Sequence, residues 1–168
     1  MERTSLARRP CSIARALDQL GDGWSLLILR DVFLGAHRFA ELEEHLGIAP
    51  NILASRLATL TRNGLLERRA YDRRPLRHEY LLTEKGEDAL PVLLTLAAWG
   101  SRWLAPGGPP LLTVDPDTAQ PVDPVLVDRH TGRPLRAGGV ALVAGPGAPA
   151  SLRAQLTTPR VFAGRSAP

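Results

Sequence analysis

Pro50-Asn-Ile-Leu-Ala-Ser-Arg-Leu-Ala-Thr-Leu-Thr-Arg-Asn63, closed by Gly64, is the stretch whose reading decides the fold. Leu53, Leu57 and Leu60 recur at helical spacing, and at 100° per residue they fall within about 60° of one another. The stripe is narrow, so Asn51, Ser55 and Arg62 project from the opposite side. Pro50 suits a first helical turn, where a missing N–H costs little, and Gly64 stands where a left-handed cap ends a helix. The spacing therefore predicts a helix over Pro50–Asn63 with one thin apolar face and one small polar face.

Two strand-like runs follow, Leu65-Leu-Glu-Arg-Arg-Ala-Tyr71 and His78-Glu-Tyr-Leu-Leu82, flanking the polar, basic Asp72-Arg-Arg-Pro-Leu-Arg77. They read as a hairpin. Upstream, Cys11–Leu20 places Ile13, Ala16, Leu17 and Leu20 on one helical face before Gly21-Asp22-Gly23 stops it. A second helix, Trp24–Leu34, is apolar on most sides, as the centre of a domain should be. Phe39, Leu42 and Leu46 mark a third, short helix, and Gly47-Ile48 the turn into Pro50. Downstream, Thr83 is the expected N-cap of a long helix through Leu104, which Pro91 should kink or shorten by splitting off its first turns.

The order helix, helix, short helix, turn, helix, basic hairpin, long helix is that of a winged helix-turn-helix: mainly α, with a small β-wing. The Pro50–Asn63 helix is narrow enough for the roughly 12 Å major groove, and the hairpin tip brings Arg73, Arg74 and Arg77 toward phosphates or the minor groove. Charge distribution agrees with that partner. Arg56–Arg77 holds seven arginines against Glu67 and Asp72, a local +5, whereas the rest of residues 1–105 sums to −3 within a chain of net +4. A basic patch in a mildly acidic domain is the footprint of phosphate binding, with an arginine-rich solvated face as the bland alternative.

Composition changes near Pro106. Residues 106–168 contain 11 of 15 prolines and 8 of 15 glycines, while 1–105 hold all three Trp, both Tyr and two of three Phe. The expected organisation is a winged helix-turn-helix DNA-binding domain over 1–105 and a Pro/Gly-rich, β-containing extension over 106–168. Within the extension Val125–Leu135 reads as a hairpin turning near Thr131-Gly132, Val140–Val143 as a strand, Leu152–Leu156 as a turn, and Ser151–Pro168 otherwise as frayed.

The chain resembles the HxlR family of bacterial regulators, relatives of the MarR group. The resemblance is carried in order by Cys11-Ser-Ile-Ala-Arg-Ala-Leu17, Leu20-Gly-Asp-Gly-Trp-Ser-Leu-Leu-Ile-Leu-Arg-Asp31, Arg38-Phe-Ala-Glu-Leu42, Leu53-Ala-Ser-Arg-Leu57, Asn63-Gly-Leu-Leu-Glu-Arg68, Glu79-Tyr-Leu-Leu-Thr83, and Gly86 through Leu90–Leu93 to Ala98-Trp-Gly100. It implies a homodimer on double-stranded DNA, with first and last helices packed across a two-fold axis and recognition helices about 34 Å apart on a palindromic operator. The candidate DNA-binding residues are Arg38, Asn51, Ser55, Arg56, Thr59, Arg62, Arg73, Arg74 and Arg77. Arg56 lies only about 60° from the leucine stripe, which suits a phosphate better than a base. Arg68 and Arg69 alternate in a strand, so at least one faces away from DNA. In some long members the extension looks like a Cys-x-x-Cys-Gly zinc knuckle; here Asp128 and Thr131 precede Gly132, and without thiolates no tetrahedral zinc site is built, so the resemblance implies a metal-free zinc-ribbon remnant useful for dimer contacts or for shielding the core.

Two ways of sensing a signal stay open. Cys11 sits at a helix N-terminus near Arg8, Arg9 and Arg15, a setting that favours thiol reactivity, and some members resemble this in sensing oxidants or electrophiles through such a cysteine. Alternatively Trp24, Phe33, Trp99 and Trp103 line a pocket for a small apolar effector, although aromatics at helical spacing are more often core. One cysteine excludes an internal disulfide, and the four histidines lack ligand spacing, so neither metal nor cofactor is expected. No apolar run approaches the roughly 20 residues of a membrane span, and Met1–Pro10 lacks the apolar stretch of an export signal, which predicts a cytoplasmic protein without a membrane partner. An enzyme is not expected: no glycine-rich cofactor loop or nucleophile elbow is present. The rival readings are a nonspecific architectural DNA binder and a winged-helix interaction module that does not bind DNA.

Overall fold

The computed structural model describes residues 6–164. Its helices and strands follow the chain as α1 (Ser12–Leu20), α2 (Gly23–Phe33), α3 (Phe39–Leu46), α4 (Pro50–Arg62), β1 (Leu66–Arg73), β2 (Leu76–Leu82), α5 (Glu84–Glu87), α6 (Leu90–Leu104), β3 (Ala141–Leu142), α7 (Ala150–Gln155) and β4 (Arg160–Val161). The chain divides into two units, Met1–Leu96 and Ala97–Pro168, with the boundary inside α6.

In the first unit α2 is the centre, packed against α3, α4 and β2. Ile28, Leu29 and Val32 supply its buried side, joined by Leu42 and Ile48, by the α4 leucines, and by Leu65 and Leu66 at the start of the wing. Full burial of a side chain such as Leu53 or Leu57 stabilises by roughly 1.5–3 kcal/mol. Asp22 caps α2, its carboxylate accepting from the Ser25 N–H at 3.2 Å. After α4 the chain turns in a two-bond glycine motif: Leu65 N–H donates to the Leu60 carbonyl at 2.9 Å and Gly64 N–H to that of Thr61 at 3.0 Å. Gly64 has φ +70°, a conformation that side chains with a Cβ rarely adopt.

β1 and β2 pair antiparallel from Leu66 opposite Leu82 to Arg73 opposite Leu76, with a bulge between Ala70 and Asp72. The strands therefore extend further into the basic segment than the apolar pattern predicts, leaving only Arg74-Pro75 as the turn. A cross-strand ladder tolerates exposed charges, so Asp72 and Arg73 continue β1 without an apolar face. The segment before α3 adds a third, minimal strand: Arg38 bridges Glu79, and the Tyr80 N–H donates to the His37 carbonyl at 2.7 Å.

The long helix starting at Thr83 is two helices. Thr83 accepts from the Gly86 N–H at 3.1 Å, but it caps only the single turn α5, and α6 restarts at Leu90 with Pro91 in its first turn, where proline is tolerated. Neither α1 nor α6 has a buried residue. Ile13 and Leu17 of α1 are exposed, as are Trp99 and Trp103 of α6, so the expectation that the tryptophans are core side chains does not hold within this chain.

The second unit is built from turns and short strands. β3 pairs with β4, Ala141 opposite Val161 and Leu142 opposite Arg160, and α7 spans Ala150–Gln155. Regular pairing thus reaches into the stretch expected to fray; residues 165–168 of that expectation, like residues 1–5 of the N-terminal one, lie outside the described residues. Asp128 organises the turn at Gly132, accepting from the His130 N–H at 3.0 Å and the Thr131 hydroxyl at 2.8 Å, in place of any metal cross-link.

Candidate nucleic-acid interface

α4 divides as its sequence dictates. Leu53, Leu57 and Leu60 are completely buried, while Asn51, Ala54, Ser55, Ala58 and Arg62 form an exposed stripe at positions i, i+3, i+4, i+7 and i+11. Ala54 and Ala58 were not singled out in the sequence because they carry no polar group, yet they set the relief: a helix with methyls between Asn51, Ser55 and Arg62 approaches a groove closely. Gly47 at φ +57° and buried Ile48 set the turn that delivers Pro50 to the start of the helix.

Three candidates on or beside α4 have partners of their own. Thr59 is half-buried; its hydroxyl donates to the Ser55 carbonyl at 3.0 Å and accepts from Arg62 Nη2 at 3.1 Å. Arg62 is therefore steered by its own helix. Arg56 turns off the exposed stripe and ion-pairs with Asp22 at 2.5 Å, linking α4 to the capped start of α2. Burial acts to raise the Asp22 carboxyl, but the Arg56 guanidinium and the Ser25 N–H outweigh it and hold Asp22 below the usual aspartate value.

Arg38 lies at the N-cap of α3, its guanidinium 4.6 Å above the Tyr71 ring and its Nε 3.8 Å from Glu41 Oε1. Glu41 accepts from the backbone N–H groups of Arg38 at 2.9 Å and His37 at 3.0 Å; chiefly the Arg38 bond holds its carboxyl below the usual glutamate value. Tyr71, the bulged residue of β1, is the member that sequence reasoning missed. Alternation along the strand gives no sign of the extra residue that turns this ring toward α3.

The wing sorts its arginines into two groups. At its base Arg69 pairs with Glu79 at 2.8 Å and Arg68 meets His78 Nδ1 at 2.9 Å. At its tip Arg73, Arg74 and Arg77 are exposed, and among the described residues none has a carboxylate within ion-pair distance. Asp72 does not neutralise them; it accepts from the Arg74 backbone N–H at 3.1 Å and shapes the turn. Three guanidinium groups without a carboxylate partner, one on the two-residue turn and two on the strand ends beside it, suit phosphate oxygens, which they can grip bidentately.

Cys11 is the exposed N-cap residue of α1. The nearby Arg15 guanidinium donates to the Arg9 carbonyl at 3.1 Å. Of the four aromatic candidates, Phe33 is half-buried and Trp24, Trp99 and Trp103 are exposed. Trp24 lines an open groove of about 510 Å³ with Leu26, Leu27, Leu96, Asp22 and Gly23. Among the described residues no group of three or more His, Cys, Asp or Glu is placed to hold a metal ion, and no helix is long and apolar enough to cross a membrane.

Comparison with known proteins agrees with this geometry. Residues 19–107 match the HxlR-like helix-turn-helix family. The HTH-type transcriptional regulator Rv3095 of Mycobacterium tuberculosis, itself uncharacterized, is 41% identical over 142 residues, covering 84% of this chain and 90% of that protein. The crystal structure of PA1607, described as a candidate transcription factor, superimposes with a TM-score of 0.77 at 38% identity, over 84% of this chain and all of that one. The redox regulator HypR in its reduced form is similar over 56% of this chain and 95% of its own, with a TM-score of 0.53 at 27% identity. A family match across the helix-turn-helix and wing, with a relative aligned over most of both chains, makes this protein a member of the HxlR-like helix-turn-helix family of transcriptional regulators.

Proposed function

We propose that this regulator binds a palindromic operator in the cytoplasm as a homodimer, α4 reading base edges in the major groove and the wing tip holding the flanking backbone. One observation carries the reading: α4 presents an exposed face of alanines with Asn51 and Ser55, while the neighbouring hairpin ends in three arginines with no ion-pair partner among the described residues. Asn is suited to a bidentate contact with adenine, and unpaired arginines gain most from phosphates. The homodimer is supported by the apolar residues left exposed on α1, Ile13 and Leu17, and on α6, Leu96, Trp99 and Trp103. Selection from random duplexes by the full-length protein should enrich a two-fold-symmetric sequence with half-site centres about 10 base pairs apart. Equal recovery of all duplexes would favour an architectural binder, and no recovery an interaction module.

The regulatory signal has one specific support, the exposed N-cap thiol of Cys11 together with the likeness to HypR. Diamide should change operator affinity of the native protein and leave Cys11→Ser unaffected. If both proteins respond alike, the signal enters elsewhere, and the groove beside Trp24 becomes the place to look for an apolar effector.

A further inference from the structure

The second unit contains one hairpin twice. Thr113–Val122 and Leu126–Leu135 superimpose in sequence as Val-Asp-x-x-Thr-(Ala or Gly)-x-Pro, thirteen positions apart. Their backbone–backbone hydrogen bonds match one for one. Asp115 N–H donates to the Gln120 carbonyl and Asp128 N–H to that of Arg133, each at 2.9 Å; Val122 N–H donates to the Thr113 carbonyl at 2.9 Å and Leu135 N–H to that of Leu126 at 2.8 Å. Each aspartate accepts from the threonine hydroxyl three residues on, at 2.9 and 2.8 Å. Val114 bridges Pro121 as Val127 bridges Pro134, and Ala119 (φ +56°) takes the left-handed position that Gly132 (φ +66°) fills in the second copy.

The copies share a backbone and differ in charge. Residues 113–123 carry Asp115, Asp117 and Asp123 with no cation, a net −3; residues 126–136 carry Asp128 with Arg129, Arg133 and Arg136, a net +2. Asp115 and Asp128 serve their own turns. The remaining five charges are exposed and have no ion-pair partner among the described residues. Val114, Val122, Val127 and Leu135 are each more than 40% exposed, and a lone two-stranded hairpin is marginally stable at best. Each hairpin thus lacks a cover of matching shape and opposite charge, and the other hairpin has both properties.

We propose that the acidic hairpin of one protomer packs against the basic hairpin of its partner. A two-fold axis makes the contact twice, acidic on basic and basic on acidic, as an isologous interface requires. Such complementary charges set register and partner choice as much as affinity. The proposal rests on the homodimer reading above and adds a contact outside α1 and α6.

The test uses the full chain carrying either Asp117→Arg/Asp123→Arg or Arg133→Asp/Arg136→Asp, all at exposed positions, with sedimentation velocity at low ionic strength. Each double variant should raise the dimer dissociation constant about tenfold, an effect that added salt reduces. The two variants mixed should form heterodimers in preference to either homodimer, and the fourfold variant should regain wild-type affinity. Double variants that dimerise as tightly as the wild type would overturn the proposal while leaving the α1 and α6 dimer intact. A wild-type chain that is monomeric would instead overturn the homodimer reading itself. Loss of thermal stability with unchanged dimer affinity would place the hairpins against each other within one chain. Loss of DNA affinity by Arg133→Asp/Arg136→Asp alone, with dimer affinity unchanged, would assign the basic hairpin to phosphates. Both of these results contradict the proposal.

Discussion

Asp22 holds two helices at once, capping α2 through the Ser25 N–H and gripping Arg56 of α4. Burial would raise its pKa, but its bonds to Arg56 and Ser25 leave it depressed in the folded protein. A depressed carboxyl contributes stability that is present above the unfolded value, about 3.9, and is lost as pH falls through the lower folded value. Asp22→Asn should therefore lower the urea midpoint at pH 7 and give a shallower decline than the wild type on acidification below about pH 4; parallel curves would show that the pair contributes nothing to folding. Helical geometry in the sequence separated Arg56 from Ser55, because one lies near the leucine stripe and the other opposite it. The partner was not legible, since Asp22 stands 34 positions earlier and nothing local marks it as a guanidinium acceptor. The same holds at the wing, where strand alternation demoted Arg68 and Arg69 but their partners, His78 and Glu79, emerge only from the register.

Among the elements, those with strong periodicity were legible: α4, with its leucine stripe, runs to within one residue of the expected end, and Pro91 marks where the helix after the wing is interrupted. The bulge at Tyr71 and the two-residue turn at Arg74-Pro75 were not, because cross-strand pairing sets them and apolar pattern does not. The hairpin repeat was hidden by Ala119 in the place of Gly132 and by the opposite charges of the two copies. α5 meets the turn between α4 and β1 through a contact that only glycine allows: a Cβ at Gly86 would lie 2.1 Å from the Leu65 carbonyl oxygen, a backbone atom that cannot swing away. Gly86→Ala should cost about 1–3 kcal/mol in urea denaturation. Gly23→Ala at the exposed start of α2, where a Cβ meets nothing within 4 Å, is the control and should cost nothing measurable or stabilise slightly. Equal stability of the two variants would mean that α5 shifts freely on the turn between α4 and β1.

At the scale of the whole molecule, the first unit has a compact aliphatic core around α2 and exposes a small polar face on α4 and three arginines at the hairpin tip. The exposed apolar residues of α1 and α6, and the uncompensated charges of the second unit, are surfaces that a partner protomer can cover. Family resemblance raised that expectation for α1 and α6, and raised it for the second hairpin only as a metal-free remnant useful for dimer contacts or for shielding the core; the first hairpin and the charge complementarity were not read from the sequence. The central claim is a division of labour between α4 and the wing. It is tested most directly by measuring operator and random-duplex affinity across a salt series for wild type, Asn51→Ala and Arg74→Ala. Arg74→Ala should weaken both duplexes alike and flatten the salt slope by about one, whereas Asn51→Ala should keep the slope and lose about 1–3 kcal/mol of preference for the operator. Unchanged affinity and slope in both variants would contradict the account.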